Sequence, residues 1–263
     1  MCQGGAMKDR VARSRSRDEP DEARYGAAWA EHYDEIFDTV DEATIDFLAG
    51  YAGEPPRALE LAVGTGRIAL PLAERGVQVS GIDISEEMVA RMRAKPGGEA
   101  IEVVIGDMAE VPVEGSFPLI YLAFNTFFGL LTQERQVECF RNVAAHLEPG
   151  GRFVLEGFVP DMKRFDTNET RLGVISIDSE SEHSYEISVH QPETQRISSH
   201  YVRRRADGTT VVLPIEIRYA WPSEIDLMAR LADLERVERW GWYDRRPFTG
   251  ASNQHVSVYR KPT

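Results

Sequence analysis

A glycine turn and three acidic side chains are the residues in this sequence whose types and spacing could do chemistry. Gly64-Thr65-Gly66 follows Ala58 to Val63, a mostly apolar run of strand length, and precedes residues with helical spacing. Two glycines so close allow unusual backbone angles and leave no Cβ between a ligand and the helix N-terminus. The turn therefore predicts a nucleotide-type pocket.

The acids Glu60, Asp83 and Asp107 each lie at the end of a predicted strand. Gly64-x-Gly66-x-x-Ala69 with Asp83 also fits the dinucleotide fingerprint, so the glycine motif alone does not identify the cofactor. Glu60 discriminates better, because a carboxylate beside the turn repels phosphate and attracts an ammonium. Three acids at successive strand ends favour a cofactor with an amino-acid tail and an adenosine over one with a pyrophosphate.

Four motifs in the expected order resemble those of the class I S-adenosylmethionine-dependent methyltransferases. They are Glu60-Leu-Ala-Val-Gly-Thr-Gly66, Gly81-Ile-Asp83-Ile-Ser85, Gly106-Asp107-Met108 and Leu147-Glu-Pro-Gly-Gly151. The resemblance covers residues 25 to 160 and departs from the commonest first motif in having Ala62 in place of the first glycine. It implies S-adenosyl-L-methionine as the cofactor and S-adenosyl-L-homocysteine as the product.

The resemblance also implies a set of cofactor-binding residues. Asp83 is expected to bind both ribose hydroxyls, and Asp107 to hold the adenine amino group while Met108 packs on the ring. The alternatives are that Asp83 caps a helix and that Asp107 is a turn carboxylate. The full set is Tyr25, Tyr33, Glu60, Ala62, Gly64, Thr65, Gly66, Arg67, Asp83, Ile84, Met88, Asp107, Met108, Ala123 and Phe124.

The methyl acceptor is expected at the end of the fourth strand, Phe117 to Ala123, because ligands of open α/β sheets lie beyond the carboxyl ends of the strands. Many family members that methylate amines or DNA bases carry Asn or Asp, then Pro-Pro and an aromatic residue, at this point. Asn125 is present here without the prolines, so methylation of an exocyclic nucleobase amine loses its main support. The predicted acceptor residues are Asn125, Phe128, Glu156, Tyr219 and Trp221. No catalytic base is assigned, since His190, His200, Glu156 and Tyr201 are candidates that the sequence does not rank.

The pattern of elements predicts an α/β fold: a doubly wound, Rossmann-like, seven-stranded sheet with helices on both faces. Residues 1–20 are expected to be a disordered tail, 21–56 a helical lid that begins with a helix from Asp21 to Phe37, and 57–159 the cofactor-binding core. Residues 160–221 are predicted to form an antiparallel strand insertion after the fifth strand, with three strands at residues 182–190, 196–205 and 210–221. Residues 222–263 then supply a closing helix and the last two strands. We expect the insertion to cover the cofactor pocket through Tyr219 and Trp221, or to contact a second subunit near Asp207-Gly208.

Composition narrows the class of partner. The formal net charge of −13 argues against a non-specific nucleic-acid or membrane-surface binder, whose contacts need a basic face. Cys2 and Cys139 alone cannot build a disulfide framework, and no apolar run could serve as a signal peptide or membrane span, so we expect a cytoplasmic protein. No spacing of Cys, His and carboxylates predicts a metal site. A small-molecule partner is favoured, and the sequence is also compatible with a homodimer.

The predicted activity is S-adenosylmethionine-dependent methyl transfer to nitrogen or oxygen of a small molecule related to natural products. The strand layer between the fifth strand and the last helix resembles that of small-molecule N-methyltransferases acting on nucleotide-linked amino sugars. One alternative is an NAD(P)-dependent oxidoreductase that uses the same glycine turn. Another is a non-catalytic relative that binds a metabolite.

Overall fold

The central sheet has the strand order β10-β11-β5-β4-β1-β2-β3 in a computed structural model that describes residues 26, 28–37, 40–177 and 182–263. The predicted tail, 1–20, and Tyr25 lie outside these residues. The seven strands are β1 (Arg57–Leu61), β2 (Gln78–Asp83), β3 (Glu102–Ile105), β4 (Phe117–Leu122), β5 (Leu147–Phe158), β10 (Glu235–Trp240) and β11 (Gln254–Arg260). Strands β1 to β5 pair in parallel, whereas β11 is antiparallel to both β5 and β10. This is the predicted doubly wound sheet.

Helices cover both faces of this sheet and bury its apolar side chains in two clusters. The helices α2 (Glu42–Ala49), α3 (Ala69–Glu74) and α4 (Glu86–Arg93) contribute to one cluster, and α5 (Gln133–His146) and α6 (Pro222–Leu231) to the other. Side chains cap the N-termini of two helices: Ser85 Oγ accepts from Met88 N at 3.2 Å, and Thr132 Oγ1 from Arg135 N at 3.2 Å. None of the described helices is long and apolar enough to cross a membrane.

The insertion is a separate antiparallel sheet of four strands, one more than the sequence predicted. Its strands are β6 (Thr170–Ile177), β7 (His183–Gln191), β8 (Arg196–Arg204) and β9 (Thr210–Arg218), paired in that order. We missed β6 because Gly173 interrupts it and Leu172 and Val174 are exposed, which leaves no buried face to show in the pattern. Pairing with β7 holds β6 in place as an edge strand.

The N-terminal segment was predicted as one helix from Asp21 to Phe37, but its described part is broken. Residues 30–32 form a turn, and α1 covers only Tyr33–Ile36. Before that turn, the Trp29 indole Nε1 donates to the carbonyl oxygen of Pro214 on β9 at 2.9 Å. This long-range bond ties the segment to the antiparallel sheet, and local helical periodicity could not reveal it.

Candidate active site

A cavity of about 770 Å³ opens between the carboxyl ends of the parallel strands and the antiparallel sheet. One side is lined by the segments that carry the predicted cofactor motifs. The other side is lined by residues of β7, β8 and β9. The predicted site residues on its wall are Tyr33, Ala62, Gly64, Asp83, Ile84, Met88, Asp107, Met108, Phe124 and Asn125. The cavity therefore brings together most of the predicted cofactor residues and one predicted acceptor residue.

The glycine turn gives the cavity its most open stretch of main chain. Gly64 has φ +57°, and a Cβ placed there would meet no atom within 4 Å. Gly66 has φ +76°, and a Cβ there would lie 2.5 Å from Met92 Cγ. The first glycine is thus needed for its backbone conformation and for the open space above it, and the second also for close packing on α4.

The Asp83 carboxylate joins the end of β2 to the glycine turn. It accepts from Gly64 N at 2.7 Å and from Ser85 N at 2.8 Å, and it lines the cavity. Burial raises the pKa of Asp83, while the hydrogen bonds from these backbone amides act in the opposite direction. The side chain therefore holds the turn and still presents a carboxylate edge to a ligand, so the capping and binding interpretations are compatible.

Glu60 lies below the turn and is buried. Its carboxylate accepts from the Tyr121 hydroxyl at 2.9 Å. Burial raises the pKa of Glu60 to about 8, and the nearby Arg67 guanidinium limits the rise. Removing a carboxylate from water disfavours its charge, so a ligand ammonium beside it would restore the ionised form. Glu60 is not on the cavity wall.

An aromatic group closes the cavity at the end of β4. The Arg67 guanidinium carbon lies 4.2 Å from the centroid of the Phe124 ring, and the Phe37 ring centroid lies 4.9 Å from the same ring. Phe124 has φ +57°, and its backbone N donates to Glu156 Oε2 at 2.9 Å. Burial raises the pKa of Tyr33, which lies beside this group, to about 12. Glu156, predicted to bind the acceptor, is buried, does not line the cavity and holds the left-handed backbone of Phe124 through this bond; its acceptor role stays a prediction.

The predicted adenine contact, Asp107, is shared with a residue that the sequence did not single out. Arg135 of α5 forms an ion pair with Asp107 Oδ2, and Ala109 N donates to Asp107 Oδ1 at 2.7 Å. Asp107 and Met108 both line the cavity. No sequence signal identified Arg135, because it lies 28 positions away and reaches Asp107 only through the packing of α5.

The N-terminal segment forms a roof over the glycine turn, in the place predicted for a lid. Thr65 Oγ1 donates to Asp34 Oδ1 at 2.6 Å, and Lys95 Nζ lies 2.8 Å from Asp34 Oδ2. Trp29, through its bond to the Pro214 carbonyl, spans to the antiparallel sheet. Thr65, Gly66, Arg67 and Ala123 are close to the turn or the β4 end but do not line the cavity. Their cofactor roles stay predictions.

Three predicted acceptor residues lie away from the cavity wall. Phe128 is fully buried against Phe158 and Phe127. The Tyr219 hydroxyl is hydrogen-bonded to His190 Nε2 at 3.0 Å inside the insertion, and Trp221 is 42% exposed before α6. The geometry does not support direct acceptor contacts for these side chains, and their roles stay untested predictions.

The structure adds cavity residues that sequence reasoning missed. Glu186 and Ser199 come from β7 and β8, Arg164 from the 3₁₀ helix Met162–Arg164, Leu131 from the segment after β4 and Phe158 from the end of β5. Glu186 Oε1 accepts from Ser188 Oγ and Ser199 Oγ, both at 2.8 Å. Alternation along β7 put Glu186 and Ser188 on one face, but nothing local indicated that this face meets the cofactor motifs.

The residues present fit S-adenosylmethionine. An uncrowded left-handed Gly64, the Asp83 carboxylate on the wall and the buried Glu60 below provide the features that a ribose and an ammonium need. Among the described residues, no group of three or more His, Cys, Asp or Glu side chains could hold a metal ion.

Comparison with known proteins gives the same result. Residues 58–151 match the family model described as a methyltransferase domain. The chain is 36% identical to the CcbJ methyltransferase from Streptomyces caelestis; the match covers 92% of this chain and 100% of that one, with a TM-score of 0.84. It is also 27% identical over 205 residues to the cypemycin N-terminal methyltransferase of a Streptomyces species, covering 77% of this chain and 82% of that relative.

A third similarity concerns the fold alone. CalS10 from Micromonospora echinaspora, an amino pentose methyltransferase involved in calicheamicin biosynthesis whose structure holds S-adenosylmethionine, is 20% identical. The superposition covers 95% of this chain and 99% of CalS10, with a TM-score of 0.62. Together with the match to CcbJ along its whole length, these findings place the chain in the class I S-adenosylmethionine-dependent methyltransferases, and it is an enzyme of that family.

Proposed function

We propose that the enzyme methylates an amine nitrogen of a small molecule of the natural-product type. The observation that carries the proposal is the single cavity whose wall includes both the cofactor motifs and the inner face of the antiparallel sheet. A small acceptor bound against Ile215 and Ile217 of β9 would lie in the same enclosed space as the end of β4. The nicotinamide and non-catalytic alternatives lose their support with the family assignment.

When bound, S-adenosylmethionine supplies an electrophilic methyl group on a sulfonium, so the acceptor needs only an aligned lone pair. The protein must hold that lone pair in line and keep water out. Phe124 and Asn125 at the end of β4 form the wall nearest this step, and the segment with Trp29 closes the space. The residues of this site are therefore suited to aligning the acceptor and excluding water rather than to transferring a proton.

Nitrogen is favoured over oxygen because the carboxylates on the acceptor side of the cavity, Glu186 and Glu216, are already paired with Arg171 and Arg196. Among the residues that the structure describes, no histidine lines the cavity. Burial acts to raise the pKa of Glu186, but hydrogen bonds from Ser188 and Ser199, together with the charges of Arg164 and Arg171, outweigh this and lower it, which makes the carboxylate a weak base. A hydroxyl is a poor nucleophile without a base, whereas a neutral amine already has its lone pair free.

The relatives agree with this choice. The cypemycin relative is named for methylation at an N-terminus, and CalS10 is described as an amino pentose methyltransferase. Both names point to amines in natural-product chemistry. We further propose a cytoplasmic enzyme that needs no nucleic acid, in keeping with its acidic composition and its few cysteines.

The test is methyl transfer from methyl-labelled S-adenosylmethionine to pairs of small amines and the alcohols of the same skeleton, with products identified by mass spectrometry. Label should appear on nitrogen and not on the paired oxygen. Ile215→Trp should abolish transfer by filling the acceptor space while cofactor affinity stays unchanged. Val212→Trp is the matched control, because Val212 lies three positions away on β9 and is 52% exposed. Equal labelling of the alcohols, or full activity in Ile215→Trp, would contradict the proposal.

A further inference from the structure

Among the residues that the structure describes, Arg164 is the arginine that lines the cavity. It ends the 3₁₀ helix Met162–Arg164 that follows β5, and its guanidinium carbon lies 5.1 Å from the centroid of the Phe165 ring. Arg164 also lines a shallower cavity of about 490 Å³ with Phe165 and Arg171. Arg164 therefore lies where the acceptor space adjoins a second depression.

The carboxylates in this part of the cavity already have cationic partners. Arg171 Nη1 lies 3.0 Å from Glu186 Oε2, and Arg196 Nη2 lies 3.8 Å from Glu216 Oε2. Ser198 Oγ also donates to Glu216 Oε2, at 2.6 Å. Each of these two charges is thus balanced within the antiparallel sheet, so neither leaves a net negative charge facing the acceptor.

Arg164 is different, because in the described ranges no carboxylate forms an ion pair or hydrogen bond with it. The residue as a whole is exposed, but partial burial of its guanidinium lowers the pKa; the more distant Glu186 and Asp161 offset only part of that effect, and Arg171 adds to it. Arginine stays charged at physiological pH despite such a shift. This part of the cavity therefore carries one positive charge that no protein carboxylate compensates at contact distance.

We infer that the acceptor carries an anionic group, a carboxylate or a phosphate, apart from the nitrogen that is methylated, and that Arg164 binds this group. The inference rests on the proposed function, since it takes the cavity as the acceptor site. A planar guanidinium offers two parallel N–H donors that match either anion. The ring of Phe165 supports the guanidinium, and Phe158, Ile215 and Ile217 would contact an apolar body between the two ends of the acceptor.

The test uses three probes with one aromatic ring each: phenylacetate, phenyl phosphate and the neutral phenylacetamide. Calorimetry measures their binding to the full-length enzyme saturated with S-adenosylhomocysteine. At least one anion should bind about tenfold or more tightly than the amide, the difference expected for a charge-assisted hydrogen bond. The tighter anion tells whether the natural group is a carboxylate or a phosphate.

Arg164→Met should lower the affinity for that anion at least about tenfold and leave the affinity for the amide unchanged. Arg164→Lys keeps the charge and should retain more affinity than Arg164→Met. Lys163→Met is the matched control, because it removes an equal charge from the neighbouring residue, which is exposed like Arg164 but does not line the cavity. S-adenosylhomocysteine affinity and thermal melting, measured on every variant, confirm that the fold and the cofactor site are intact.

Four results would overturn the inference: no anion binds the wild type, the amide binds as well as the anions, Arg164→Met binds like the wild type, or Lys163→Met loses as much affinity as Arg164→Met. Failure of the proposed function is seen separately. Anion binding needs no turnover, so absence of amine methylation alongside Arg164-dependent binding would contradict only the amine assignment. Amine methylation without any anion binding would contradict only the inference.

Discussion

At the scale of single residues, Asp83 both stabilises the glycine turn and lies where the cofactor would bind, and one substitution removes both contributions. Its carboxylate holds the glycine turn through Gly64 N and lines the cavity where a ribose would bind. Asp83→Ala should therefore weaken S-adenosylmethionine binding by roughly 1.5 kcal/mol or more, the value of one charge-assisted hydrogen bond. Calorimetry on the folded variant measures this. Glu86→Gln, which removes an exposed carboxylate three positions away, is the control, and equal affinities in the two variants would remove Asp83 from the site.

Glu60 predicts a pH dependence of the ligand-free enzyme. Its pKa in the folded state is raised by burial from 4.5 to about 8, so the native state keeps a proton that the unfolded chain has lost. The stability due to this group is complete below pH 4.5 and is lost as the pH rises to about 8. Glu60→Gln should escape this loss, which amounts to at most about 1.4 kcal/mol per pH unit. Denaturant unfolding at a series of pH values between 4.5 and 8 gives the free energy of unfolding of both proteins. An equal loss of this free energy in wild type and variant as the pH rises would contradict the prediction.

At the scale of elements, the contacts between the N-terminal segment and the glycine turn predict that this segment slows the release of S-adenosylhomocysteine. Asp34 joins the segment to the glycine turn through Thr65 and, through Lys95, to the residues just after α4. Asp34→Asn should speed S-adenosylhomocysteine release about two- to fivefold, because a partly exposed ion pair contributes about 1 kcal/mol or less. Stopped-flow displacement gives the rate. Glu31→Gln changes an exposed carboxylate of the same segment, and release that is equally fast in that control would argue against a latch.

The positions of Ile217 and Trp221 in the insertion predict which of these two side chains contacts the acceptor. Trp221 is 42% exposed, whereas Ile217, four residues earlier on β9, lines the cavity. Trp221→Ala should change kcat/KM by about twofold or less, as surface substitutions usually do. Ile217→Ala should raise the acceptor KM severalfold at nearly unchanged cofactor affinity. Steady-state kinetics with an identified acceptor measures both effects. A large effect of Trp221→Ala together with a small effect of Ile217→Ala would indicate that Trp221, and not Ile217, contacts the acceptor.

At the scale of the whole molecule, the outer face of the insertion predicts a homodimer. The edge strand β6 exposes Leu172, Val174 and Ile177 at 71%, 66% and 73%, and Ile187 of β7 adjoins Leu172. An exposed apolar edge strand tends to pair, and a second copy can meet it antiparallel across a twofold axis. Analytical ultracentrifugation should show a dimer that Leu172→Glu dissociates. Leu227→Glu on α6, where Leu227 is 57% exposed, should leave the dimer intact; a monomeric wild type would end the prediction.

The sequence by itself determined the parallel sheet, its glycine turn and the acids at its strand ends. Each of these is encoded locally: an apolar run, a pair of glycines and the carboxylates Glu60, Asp83 and Asp107. The carboxyl ends of parallel strands share one edge, so residues at successive strand ends meet without further information. For this reason the family, the cofactor and most of the residues on its side of the cavity could be predicted.

Only the tertiary structure decided the acceptor side. Alternation along a strand shows that Glu186 and Ser188 share a face, but not which face is covered or what covers it. Pairing of β7 with β8 brings Ser199 to Glu186, and docking of the whole layer turns that face towards the end of β4. Arg135 reaches Asp107 in the same way, through the packing of a distant helix. Contacts between distant segments depend on how layers pack, which no local pattern of side chains records.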